Sequence, residues 1–135
     1  MNNSKSERTI SWTAALISAI IMLQTLYFKF TAAPESVYIF STLGMEPWGR
    51  IGSGIAELIA SILILIPTQR WLGALLGLGI ISGAILAHLT QLGIVVQGDG
   101  GKLFILAILV FIGCSTCLFL EREKLKSIYC YFFSK

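Results

Sequence analysis

The chain has 135 residues, enough for one domain, and its composition excludes an ordinary soluble one: 56% of residues are hydrophobic, 13% are charged and the mean hydropathy is +0.82. Soluble domains carry about 25% charged residues, whereas a lipid-facing surface needs few. The net charge of +3 arises from flanks and loops, so no nucleic-acid face is expected, and Cys114, Cys117 and Cys130 do not form the disulfide framework of a small secreted protein.

In chain order, a basic tail (1–9) leads into the apolar run Ile10 to Phe28, which predicts a helix over about 10–29. Lys5 and Arg8 before it and Thr31-Ala32-Ala33 after it have the look of a signal peptide. The run exceeds the about 7–15 residues of a signal h-region, and Pro34 follows the small residues directly, so the span is expected to be retained. The connection from Thr31 to Gly49 has room for a short interfacial helix, with Pro34-Glu35 as its start and Gly44 as its stop.

A second span follows over about 48–66, opening on Trp48-Gly49-Arg50, with Pro47 suited to its first turn and Pro67 ending it. The third is predicted over 71–96 and the fourth over 103–120, separated by Gly98-Asp99-Gly100-Gly101 with Asp99 as N-cap. Crossing the hydrocarbon takes about 17–25 helical residues. Unpaired backbone is not tolerated there, so all four runs should be helical. Trp12, Trp48 and Trp71 lie near span ends, where indole favours the interface. The tail over 121–135 is charged, then aromatic through Tyr129, Tyr131, Phe132 and Phe133, and should lie along the inner interface. The expected fold is all-α: one polytopic membrane domain, 1–135, built as a four-transmembrane-helix bundle.

Basic residues set the expected orientation. Lys5, Arg8, Arg70, Arg122, Lys124, Lys126 and Lys135 fall on one side, against Lys29, Arg50 and Lys102 on the other. The positive-inside rule makes the first side cytoplasmic, with both termini there.

Ionisable groups within spans are costly and mark function by default. On the second helix Arg50, Ser53, Gly54, Glu57 and Ser61 share one stripe, and on the third Gly73, Gly77, Ala84, His88 and Gln91 share another. Both stripes should look inward. At 1.5 Å per residue, Glu57 lies roughly 14 Å and His88 roughly 12 Å below the outer surface. With Gln24, Lys29, Arg50, Lys102 and Gln91 above them, they predict an outward-opening pocket with basic groups at its lip and a Glu–His layer at its floor. Glu57 and His88 are the expected catalytic pair, passing a proton to a bound molecule. Gln24, Lys29, Arg50 and Gln91 are the expected ligand contacts. No metal site is expected, because a single histidine and scattered carboxylates give no ligand spacing.

Gly73-x-x-x-Gly77 and Gly79-x-x-x-Gly83 lie on different faces of the third helix, one suited to packing within the bundle and the other to a neighbouring helix or a second copy of the chain. Cys114-Ser115-Thr116-Cys117 has redox spacing but lies inside the fourth span, away from a helix N-terminus, so a packing role is expected. The Gly98 to Gly101 turn lacks the strand and Lys-Ser ending of a phosphate-binding loop.

Leu26-Tyr27-Phe28-Lys29-Phe30, Leu43-Gly44-Met45-Glu46-Pro47-Trp48-Gly49-Arg50, Gly54-Ile55-Ala56-Glu57-Leu58 and Ala87-His88-Leu89 together resemble the DoxX-like membrane proteins, over about Trp12 to Leu120. That pattern of lysine, glutamate and histidine falls on Lys29, Glu57 and His88; the glycine usual before the lysine is replaced by Gln24-Thr25-Leu26. The resemblance implies a four-helix redox-associated subunit of a bacterial inner membrane, quinone- or thiol/sulfur-linked, with a quinone as candidate cofactor and an oxidoreductase as candidate partner. The alternatives are a small proton-coupled transporter and a non-catalytic scaffold for a partner enzyme. Small multidrug exporters share the size but carry their essential carboxylate in the first helix rather than the second.

Overall fold

The computed structural model describes residues 4–134. Its first helix, α1 (Lys5–Phe30), starts before the apolar run does. Ser4 and Glu7 close a capping box, Glu7 N–H donating to Ser4 Oγ at 3.2 Å and Ser4 N–H to Glu7 Oε2 at 3.1 Å. These bonds satisfy donors that the first turn would leave unpaired and start the helix ahead of the apolar run. A short helix, α2 (Pro34–Thr42), follows where Pro34 and Gly44 bracket it, Gly44 at φ +70°. Next comes α3 (Trp48–Leu65), with Pro47 in the cap position rather than the first turn, and extended backbone at Ile66 before Pro67.

The third span, α4 (Arg70–Ala87), widens into a π-helical turn over His88–Leu92 and stops there, short of the predicted Val96. Two features end it. Gly93 takes φ +77°, which residues with a Cβ rarely adopt. Asp99 then draws the chain into a loop by accepting from the N–H groups of Val96 (2.9 Å), Gly101 (2.8 Å) and Leu103 (3.0 Å). Those donors, Leu103 foremost, hold the Asp99 carboxyl below its usual range. Gly101 occupies the cap of α5 (Lys102–Leu120), and Asp99 supplies the capping bonds from two residues upstream. The last helix, α6 (Arg122–Phe133), packs on α4 and α5 and leaves its aromatic residues exposed.

Four helices are long and apolar enough to cross a membrane: α1, α3, α4 with its π turn, and α5. They pack as a square, α1 on α3, α3 on α4, α4 on α5 and α5 on α1. One end of the square is tied by Arg70, whose Nη1 donates to Ser11 Oγ and Nε to the Ile64 carbonyl, both at 3.0 Å, with its guanidinium stacked on Trp12. The opposite end carries α2 and the loop after Gly93.

Side chains are distributed as lipid dictates. Small groups fill the centre, with Ala15, Ala60, Ala74, Cys114 and Cys117 fully buried, while Ile20, Leu86, Ile112 and Phe119 point outward. Lipid tails are as apolar as leucine, so helices gain from close approach rather than from hiding large side chains. Gly73 shows this directly, lying on the Leu63–Ile64 backbone of α3. The two buried cysteines belong to this packing: Cys114 sits against Gly77, and Cys117 Sγ lies 3.7 Å from the Ser11 carbonyl.

Candidate functional site

The polar residues of the half that bears α2 surround a cavity of about 670 Å³. Small-molecule sites typically span about 300–1,000 Å³, with mostly apolar walls and a few placed polar groups. Met22, Ile81, Ala107 and Val110 form apolar wall here; Gln24, Thr25, Lys29, Glu57, His88 and Gln91 supply polar groups.

Glu57 is 6% exposed, and both of its oxygens are held by α1. Lys29 Nζ donates to Oε1 at 2.6 Å, and Thr25 Oγ1 reaches Oε2 at 2.9 Å. Thr25 and Lys29 are four residues apart, so a single face of α1 presents both. Burying an ion pair is tolerable when its remaining lone pairs are also satisfied, and Thr25 does that. The Thr25 hydroxyl has one proton and two acceptors within reach, Glu57 Oε2 and the Met22 carbonyl at 2.8 Å. A neutral Glu57 can therefore donate to Thr25 Oγ1 while Thr25 turns its proton to Met22. The carboxyl has a partner in either protonation state.

Arg50 does not line the cavity, contrary to its expected role as a ligand contact. Its Nε bonds both Glu46 oxygens, at 2.8 and 3.0 Å, and its Nη1 donates to the Lys29 carbonyl. That carbonyl lies in the last turn of α1, where acceptors lack helical partners and a cation is favoured. Arg50 thus sits behind Lys29 and fixes the backbone from which the lysine reaches Glu57. Nor does Lys29 stand free at the lip: its chain turns inward, with the Phe40 ring of α2 5.9 Å from Nζ. Lys102, Glu35 and Asp99 form the charged part of the rim instead.

His88 opens the π turn and is 6% exposed. Its Nδ1 lies 2.8 Å from the Gly93 carbonyl, which can only accept, so Nδ1 carries the proton. In neutral imidazole the other nitrogen, Nε2, is then an acceptor. Nε2 has no hydrogen-bond partner among the described residues, and it is not sealed in the interior. The ring rests edge-on against Phe104, centroids 5.6 Å apart. The π turn and the left-handed Gly93 act together here, since they bring a carbonyl five residues on back to the imidazole.

Glu57 and His88 line one cavity, but no hydrogen bond or ion pair joins them. The expected Glu–His layer is in fact two separate stations: a Lys29–Glu57–Thr25 group on the α1–α3 side and a histidine acceptor on α4. Thr25 was missed in the sequence, although its place one turn before Lys29 is a readable signal. Comparison with protein-family models, curated proteins and solved structures finds no match to this chain.

Proposed function

We propose that this chain is a redox-associated membrane subunit whose cavity binds a small, membrane-soluble quinone or sulfur compound, with Glu57 and His88 exchanging protons with it. The observation that carries this reading is the pairing of two stations in an otherwise apolar cavity. One offers ammonium N–H donors and a carboxyl that keeps a partner in both charge states; the other offers an unpartnered imidazole acceptor. A two-ended head group such as a benzoquinol has the complementary groups: one oxygen would accept from Lys29, and the opposite hydroxyl would donate to His88 Nε2. Electrons pass to or from a partner oxidoreductase, and the site handles the protons. The DoxX-like resemblance agrees with this reading.

A short-chain benzoquinol added to the protein in lipid nanodiscs should bind saturably. Glu57→Gln and His88→Gln should each weaken binding about tenfold, and the double variant by about the product of the two, as expected for separate stations that hold opposite ends of one ligand. Absence of saturable binding, or full affinity in both well-folded variants, would remove the case for a ligand site and leave a scaffold.

The same reading places both termini in the cytoplasm and the cavity mouth outside, following the basic-residue asymmetry, and takes the bacterial inner membrane from the DoxX-like resemblance. Single cysteines at Gly44 and Asp99, in a background without the native three, should react with an impermeant maleimide from outside, and one at Arg70 should not. Outside labelling at position 70 alone would invert the orientation.

A further inference from the structure

The cavity reaches the outside of the bundle sideways as well as at its rim. Gly79, Gly83, Leu86 and Thr90 line it, yet all four are exposed and share one outward stripe of α4 and its π turn. The contact between α3 and α4 is tight at its base, where Gly73 lies on the Leu63–Ile64 backbone. Two and three turns further along the contrast is complete: a Cβ at Gly79 or Gly83 would meet nothing within 4 Å. The absent side chains leave open space between the polar stations and the lipid-facing surface, and α2 lies above it, packed on α1, α3 and the π turn.

We propose that this gap is a lateral opening to the bilayer, through which the apolar tail of a membrane-dissolved amphiphile runs out from a head group held at Glu57 and His88. The inference rests on the ligand reading above and adds to it the class of ligand, a tailed one, and its route. The continuity of the gap with the cavity is what assigns the occupant: the buried end is polar and the exposed end meets hydrocarbon, so a molecule spanning both must be polar at one end and apolar at the other. A soluble substrate would use only the rim at Lys102 and Asp99.

The test uses two benzoquinol probes with the same head group, one with a decyl tail and one without, and the full chain in nanodiscs. A Cβ at Gly83 meets nothing within 4 Å, so Gly83→Trp starts into open space and should fill the opening with folding kept. It should weaken the decyl probe about tenfold, the equivalent of about two buried methylenes, and leave the tail-less probe within about twofold. Leu75→Trp, on the same helix but outside the cavity lining, is the control and should alter neither. Equal affinity of Gly83→Trp and unsubstituted protein for the decyl probe overturns the opening, as does an equal loss for both probes. If the unsubstituted protein binds the tail-less probe as tightly as the tailed one, the opening is overturned and the ligand site stands. Binding of neither probe overturns both.

Discussion

Replacing Lys29 with methionine should destabilise the folded bundle by about 3–5 kcal/mol, the usual cost of leaving one member of a buried ion pair without its partner. The side chains of Lys29 and Glu57 are only 14% and 8% exposed, so solvent cannot take over for the lost ammonium. Replacing both, as Lys29→Met with Glu57→Leu, should recover most of that loss, because the desolvated charge goes with its partner and Thr25 still has the Met22 carbonyl. Glu57→Gln in the Lys29→Met background should recover part of it, since a neutral amide needs no counter-charge. Reversible unfolding in mixed micelles of the unsubstituted protein, Lys29→Met, Glu57→Leu and their double variant measures the pair as a cycle. Additive losses in the double variant would mean that the two side chains act independently, and the α1 station would lose its physical basis.

The spans were legible because hydropathy and length alone define a helix in lipid, with no tertiary information needed. Their ends were less so. Ser4-x-x-Glu7 is a readable capping box, and the apolar run concealed it by suggesting a start at Ile10. The end of α4 depends on Gly93 adopting a left-handed turn and on Asp99 gathering three backbone N–H groups, choices that hydropathy does not encode.

The site divides in the same way. Helical periodicity put Glu57 and His88 on inward stripes, and both line the cavity. It could not say which neighbour each side chain meets, because that depends on how two helices are rotated against each other. Lys29 lies at the end of an apolar run and so resembles an interfacial anchor, yet its long chain folds back to Glu57. Arg50 shares the Glu57 stripe, as periodicity requires, but Glu46 one turn earlier and a last-turn carbonyl of α1 satisfy it first. The π turn at His88 has no sequence signature in this chain, and it sets which imidazole nitrogen is engaged by the Gly93 carbonyl.

The two glycine pairs of α4 give the sharpest contrast that one helix can offer. A leucine at Gly73 would have to place its Cβ within the α3 backbone at Leu63 and Ile64, and backbone, unlike the tip of a side chain, cannot swing aside. The helices must separate, which disrupts the contacts of Ala60, Ile64 and Ala74 in the core. Overpacking of this kind costs about 1–3 kcal/mol when neighbours can shift, and more when they cannot. Gly73→Leu should therefore abolish folded, membrane-inserted protein or lower its unfolding midpoint more than any other substitution in α4. Gly77→Leu should be intermediate, because its near neighbours are the ends of Cys114 and Met22. Gly79→Leu should be neutral to slightly stabilising in the same assay, since it meets open space and replaces glycine in a helix interior. An equal loss at Gly73 and Gly79 would show that the bundle closes over both pairs, and would remove the lateral opening together with the packing argument for it.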